Sequence, residues 1–268
     1  MLKPIRNGLV WLGLVWVLLF CAARAVSDAR PPTPVTVRYL EGLVHGFLLL
    51  RTTDGNIIAE GDWLQTAHGD QVTTRLVFHF KDGSLQDETT VFSQRKQFRL
   101  LSNHLIQKGA AFKTPIDLTV DGVTGSVTVH STDDKGKANE ATERLNLPAD
   151  LANGMVPILL KNLPSGPGPS SLSMVVATPK PRLIKLAISV AGEELFAVGS
   201  ANYKGVHYVV RVELGGVAGV VAPIVGKQPQ DSHIWIMGGK APTFLKSEGP
   251  QFEGGPSWRI ELASPNWP

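Results

Sequence analysis

Seven histidines, at positions 45, 68, 79, 104, 130, 207 and 233, are the side chains best suited to metal or proton-transfer chemistry. No two of them lie within five residues of each other. A zinc site built from one local segment needs closely spaced ligands, so a metal centre here has to be assembled from distant strands. Acyl transfer through an exposed serine calls for Gly-x-Ser-x-Gly, which the chain lacks. The run from Gly219 to Gly226-Lys227-Gln228 looks like a phosphate loop, but its glycines are wrongly spaced and no hydroxyl follows to hold magnesium. Carboxylates are plentiful, yet no spacing marks two of them as an acid and base pair. The sequence therefore names no catalytic residue, no metal ligand and no cofactor site, and the expectation is a protein that is not an enzyme.

Two segments are better suited to binding. Ser232 to Met237 and Thr243 to Lys246 read as a hairpin around the loop Gly238 to Pro242. With a five-residue loop in register, Trp235 pairs with Leu245 and His233 with Ser247. Trp235 and Met237 then share one face, and Ile234, Ile236 and Phe244 share the other. One apolar face is core. The second needs a cover, supplied by a helix, by the Gly216 to Gly226 run or by a ligand. Phe47 heads the run Phe47-Leu48-Leu49-Leu50, which is also apolar on both faces. Phe47, Trp235 and Met237 are thus the candidate contacts for an apolar ligand.

The elements that must position these residues are strands. Ile116, Leu118 and Val120 alternate with polar residues, as do Val127 and Val129, and as do Val206, Tyr208, Val210, Val212 and Leu214. A period of two with one wet face is the mark of antiparallel sheet. Turn dipeptides at Asp54-Gly55, Asp82-Gly83, Asp121-Gly122 and Gly192-Glu193 punctuate about a dozen strands. A two-residue turn at Asp54-Gly55 pairs Leu50 with Ala59, Leu48 with Gly61 and Gly46 with Trp63. A tight turn at Asp82-Gly83 puts Phe78 and Phe80 on the face of Leu85 and Asp87, leaving Arg75, Val77 and His79 with Gln86, Glu88 and Thr90 on a wet face. Asp87 is then a carboxylate against apolar surface, needing a partner if buried; a place at the sheet rim, or a bulge that turns it outward, is the favoured alternative. Trp63 and Phe78 are expected in the core. One helix is expected near 148–163, opened by Pro148-Ala149-Asp150, with Leu151, Met155, Ile158, Leu159 and Asn162 at helical spacing and Pro157 kinking it. A Pro/Gly loop at 164–170 follows it.

The first 25 residues have the layout of a secretory signal: a basic start, an apolar run from Leu9 to Ala23, and Ala23-Arg24-Ala25 before a cut between Ala25 and Val26. Lys3, Arg6 and Arg24 are the only charges there, so removing them from the 26 basic residues balances 23 against the 23 acidic ones. A neutral mature chain gives no reason to expect nucleic acid as a partner. Cys21 is the single cysteine and leaves with the signal, so no disulfide partner is expected. Residues 26–34 read as a Pro-rich linker and 35–268 as one antiparallel β domain. The expected location is periplasmic or secreted, the alternative being an inner-membrane signal anchor.

The series of export signal, early hairpins, a long meander, one mid-chain helix and a closing Trp-containing hairpin resembles uncharacterised exported bacterial β-rich proteins. It resembles more distantly the periplasmic lipoprotein-carrier fold. That resemblance implies an open or half barrel, the alternative being a β-sandwich, with the helix packed on it and a hydrophobic ligand such as a lipid inside. Three functions are open to such a chain: a non-catalytic carrier of a hydrophobic small molecule, a scaffold that binds another envelope protein, or a hydrolase with a dispersed active site.

Overall fold

The structure is a computed structural model that describes residues 33–133, 135–163, 170–198, 201–213 and 228–263. Residues 1–25, expected as a signal, with Ala25 and Val26 at the expected cut, nearly all of the expected linker, the Pro/Gly loop save Ser170, and the Gly216–Gly226 run lie outside the described residues. Contacts divide the chain into two units, Met1–Pro31 and Pro32–Pro268, and every described residue belongs to the second. Among the described residues no helix is long and apolar enough to cross a membrane.

Period-two patterning becomes strand throughout. A first meander comprises β1 (Val44–Thr52), β2 (Ile57–His68), β3 (Gln71–Phe80), β4 (Leu85–Gln94), β5 (Phe98–Lys108), β6 (Ile116–Asp121), β7 (Ser126–Thr132) and β8 (Ala138–Arg144). After a short helix, α1 (Val156–Asn162), a second meander comprises β9 (Ser170–Val176), β10 (Arg182–Val198), β11 (Ala201–Glu213), β12 (Ser232–Met237), β13 (Thr243–Pro250) and β14 (Ser257–Leu262). The first and last strands pair with each other, Leu48 opposite Leu262 and Leu50 opposite Ile260. The two meanders thereby fuse into one antiparallel sheet of 14 strands, with β8 and β9 at its two ends. A single continuous sheet excludes the sandwich alternative. The expected open architecture with one helix stands, because no described pairing joins β8 to β9.

The sheet curls strongly. Leu151 bridges Ser173 on β9, and Ala152 N–H donates to Ser173 O at 2.8 Å. Three residues on, Gly154 lies against Thr90 on β4 and Asn103 on β5. In a flat sheet β9 and β4, nine strands apart, would be separated by about 43 Å at ~4.8 Å per strand. Three residues span no more than about 11 Å. Only a sheet wound back on itself lets one short segment touch both. The Asn153 side chain extends this contact, donating to Val175 O at 2.8 Å and accepting from Val175 N–H at 2.9 Å, so the free edge of β9 is satisfied at Ser173 and Val175. At the other end β8 stays exposed and carries Glu140, Glu143 and Arg144, charges that discourage edge pairing.

The helix is shorter than expected. Pro157 sits in its first turn, where a missing N–H costs nothing, so it starts α1 and does not kink it. Residues 148–155 are turn and bridge. Ile158, Leu159 and Leu160 are buried in the core. Asn162 ties the chain before β1 to the helix: its Oδ1 accepts from the N–H groups of Arg38 and Tyr39 at 2.8 Å each, while its Nδ2 donates to Ile158 O at 2.9 Å. Beside it the buried Glu41 carboxylate accepts from Lys161 Nζ at 2.7 Å and from Gln65 Nε2 at 3.0 Å.

Two hairpins show how turn chemistry sets register. The first has the expected partners, Gly46–Trp63, Leu48–Gly61 and Leu50–Ala59. Its loop is nonetheless longer than two residues: Thr52 N–H bonds Asn56 O, and a bulge between Leu50 and Arg51 restores the register. The second has no bulge. Phe80 N–H bonds Ser84 O around Lys81-Asp82-Gly83, with Gly83 at φ 83°. This three-residue loop shifts every partner by one, so Phe78 pairs with Gln86 and Val77 with Asp87. Gln86, Glu88 and Thr90 therefore face the core, and the expected wet face is carried by Leu85, Asp87 and Thr89. Gly192-Glu193, expected as a turn, is a bulge inside the long strand β10.

Candidate functional site

Three adjacent rows cross the core face of the first meander. One runs Leu48–Gly61–Phe78–Gln86–Gln107–Ile116, the next Gly46–Trp63–Leu76–Glu88–Leu105–Leu118, and the third Gln65–Thr74–Thr90–Asn103–Val120. The outer two are buried, each beneath a covering segment. Over the first lies the turn at Gln251, whose carbonyl accepts from Gln107 Nε2 at 2.9 Å, with Phe252 packed against Phe112 and Trp258. Over the third lie Glu41 and Gly154. Between the two covers Trp63, Leu76, Glu88 and Leu105 are only half-buried although they point inward. Side chains on a core face keep solvent exposure only where the covers leave a gap. The middle row is thus the floor of a recess between the covers, formed by Trp63, Leu76 and Leu105 with one carboxyl group among them.

That carboxyl belongs to a tight cluster. Asn103 Nδ2 donates to Glu88 Oε1 and to Thr90 Oγ1, both at 2.9 Å. A Cβ at position 154 would overlap Thr90 Oγ1 and come within 3.0 Å of Asn103 Nδ2 and 3.1 Å of Glu88 Oε1; Gly154 also has φ 64°. Only glycine brings the backbone this close. Burial raises the Glu88 pKa, against which the bond from Asn103 works. Asn103 Oδ1 has no hydrogen-bond partner among the described residues. The partly exposed Glu88 carboxyl group can receive a hydrogen-bond donor beside an apolar wall.

The residues singled out by sequence lie elsewhere. Phe47 is on the opposite face of β1, exposed, with its ring 4.7 Å from His45. His45 lines an open groove of about 340 Å³ on that outer face with Asp62, Leu64, Arg75, Val77, His79, Leu85 and Asp87. Asp87 is not against apolar core: Arg75 holds it at 2.7 and 3.0 Å and lowers its pKa despite partial burial. Trp235 is also on the outer face. A bulge in β13 pairs it with Lys246 and His233 with Glu248, not with Leu245 and Ser247. It is buried, stacked on His207 at 4.2 Å and 13°, with Lys246 Nζ 4.0 Å from its ring centroid. Met237, half-buried, pairs with Gly205 and Thr243. The cover expected over Trp235 is therefore this chain's own His207 and Lys246. Ile234, Ile236 and Phe244 form the core side as expected.

Long-range pairing also joins two of the scattered histidines. His207 Nε2 and His233 Nδ1 are 2.9 Å apart, and His207 Nδ1 lies 3.3 Å from Glu194 Oε1. Burial lowers the His207 pKa, partly offset by Glu194. Among the described residues no group of three or more His, Cys, Asp or Glu is placed to hold a metal ion. Of the recess residues, sequence reasoning put Trp63 on the correct face and misplaced Glu88. The signal that would have found it is Lys81-Asp82-Gly83 read as a three-residue loop with glycine in the left-handed position.

No family model matches the sequence, and no curated protein matches it. Among solved structures, the chain is similar to a crystal structure from Brucella abortus described as a β-barrel-like protein of a domain of unknown function, DUF1849. The two share 11% sequence identity and a TM-score of 0.45, over 88% of this chain and 98% of that one.

Proposed function

We propose that this is an exported, non-catalytic protein that holds an apolar molecule, such as a lipid, inside its curled sheet. The observation that carries this reading is the half-buried row Trp63, Leu76, Glu88 and Leu105 between two covering segments. The N-terminal signal pattern supports export, and the sequence-level likeness to lipoprotein carriers agrees with an apolar cargo. Ten methylenes laid on this floor contribute up to ~8 kcal/mol before ordering costs, enough for micromolar affinity. Native mass spectrometry of protein purified from its own envelope tests the reading: a stoichiometric lipid supports it. Its mature N-terminus is expected at Val26. Trp63→Ala is expected to weaken lipid binding more than it weakens folding, and an apolar cargo unaffected by that change counts against the recess.

A second reading rests on the outer face. Phe47 and Leu64 are exposed beside the groove with Asp62, Arg75 and Asp87, a mixture of apolar and charged groups suited to another envelope protein. A partner that co-purifies with the lipid-free protein and is lost on Phe47→Ser favours this scaffold role.

A further inference from the structure

We infer that the recess takes a cationic amphiphile, its apolar body against Trp63, Leu76 and Leu105 and its protonated amine on Glu88. This rests on the reading of the recess as a ligand site. Asn103 is 1% exposed, and its amide is held in one orientation because Nδ2 makes both of its hydrogen bonds. Turning the amide over would set its oxygen against the carboxylate of Glu88. The amide N–H therefore stays on Glu88 Oε1, while Oδ1 is sealed from solvent and from any ligand.

Glu88 is the group that needs a partner. Oε1 is taken by Asn103, and among the described residues no cationic side chain balances the carboxylate. Buried charges are stable when paired, and a buried acceptor is stable when it receives a donor. An ammonium group meets both requirements at once, because it carries a full charge and three donors. A hydroxyl would satisfy one oxygen and leave the charge unbalanced. A carboxylate would add a second negative group beside the first. Gly154 closes over this cluster, since even a Cβ there would crowd Thr90, Asn103 and Glu88 together.

Calorimetric titration of the protein with dodecylamine, dodecanol and dodecanoate, each below its micelle concentration at neutral pH, tests this. Dodecylamine is expected to bind at least about tenfold more tightly than dodecanol, with dodecanoate weakest. Glu88→Gln should abolish that preference and leave dodecanol binding in place, while Leu105→Trp, which fills the recess, should abolish all three. Equal affinities for the three headgroups, or a preference that survives Glu88→Gln, overturns the amine assignment and leaves the recess reading standing. Failure of all three to bind the unaltered protein, or binding that Leu105→Trp leaves untouched, overturns both.

Discussion

Gly154 and Thr90 are separated by 64 positions in sequence and packed so closely that no side chain fits at residue 154. This contact sets the segment before α1 onto β4, and the same segment pairs with β9, so it fastens one part of the curled sheet to the other. Gly154→Ala must both adopt a left-handed φ and displace Thr90. It is expected to destabilise the protein by at least about 2 kcal/mol in urea unfolding.

Thr89 and Thr90 report the register of the second hairpin. Thr90 is buried and accepts from Asn103, so Thr90→Ala should cost about 1–2 kcal/mol. Thr89 pairs with Arg75 on the outer face, and Thr89→Ala should cost under about 0.5 kcal/mol. The reverse order would restore the two-residue turn.

Lys161 and Glu41 form a buried pair at the helix end. Lys161→Met leaves Glu41 charged among Gln65, Gln94 and the core. The expected loss is about 3–5 kcal/mol, most of it regained when Glu41→Gln is added. Equal stabilities for the single and double variants would show that the charge on Glu41 is not what destabilises.

Glu88 and His207 each make a separable contribution to the pH dependence of stability. Glu88 has a raised pKa in the folded state, so above its ordinary value of 4.5 the unfolded chain ionises first. Folded protein then holds more protons, and stability falls as pH rises from 4.5 through the folded-state value. The stability advantage of Glu88→Gln over the unaltered protein should widen across that window, and a gap constant with pH would show that Glu88 is not desolvated.

His207 acts in acid. Burial lowers its pKa below 6.5, so the unfolded chain takes up protons first as pH falls. Stability should decline from 6.5 downward through the folded-state value. His207→Phe, which keeps a ring on Trp235, should flatten this part of the profile. An unchanged slope would assign acid sensitivity to other groups.

Much of this architecture is local information and was legible in the sequence. The alternation at Ile116, Leu118 and Val120 or at Val127 and Val129 determines strand and buried face, because successive side chains on a strand must point opposite ways. Trp63 does lie opposite Gly46 as the turn dipeptide suggested, but only because a bulge between Leu50 and Arg51 offsets a loop longer than two residues. Other features depend on single extra residues or on partners far along the chain. One added loop residue at Lys81-Asp82-Gly83 turned Glu88 and Thr90 inward, and one bulge in β13 exchanged Leu245 for Lys246 beside Trp235. Pro157 was ambiguous between a kink and a first turn until tertiary packing set where the helix begins. Pairing of β1 with β14, and the curl that brings Gly154 onto Thr90, were decided by the tertiary structure alone. Their energy comes from contacts between distant residues, which periodicity does not encode, and the recess floored by Trp63, Leu76, Glu88 and Leu105 exists only once those contacts form.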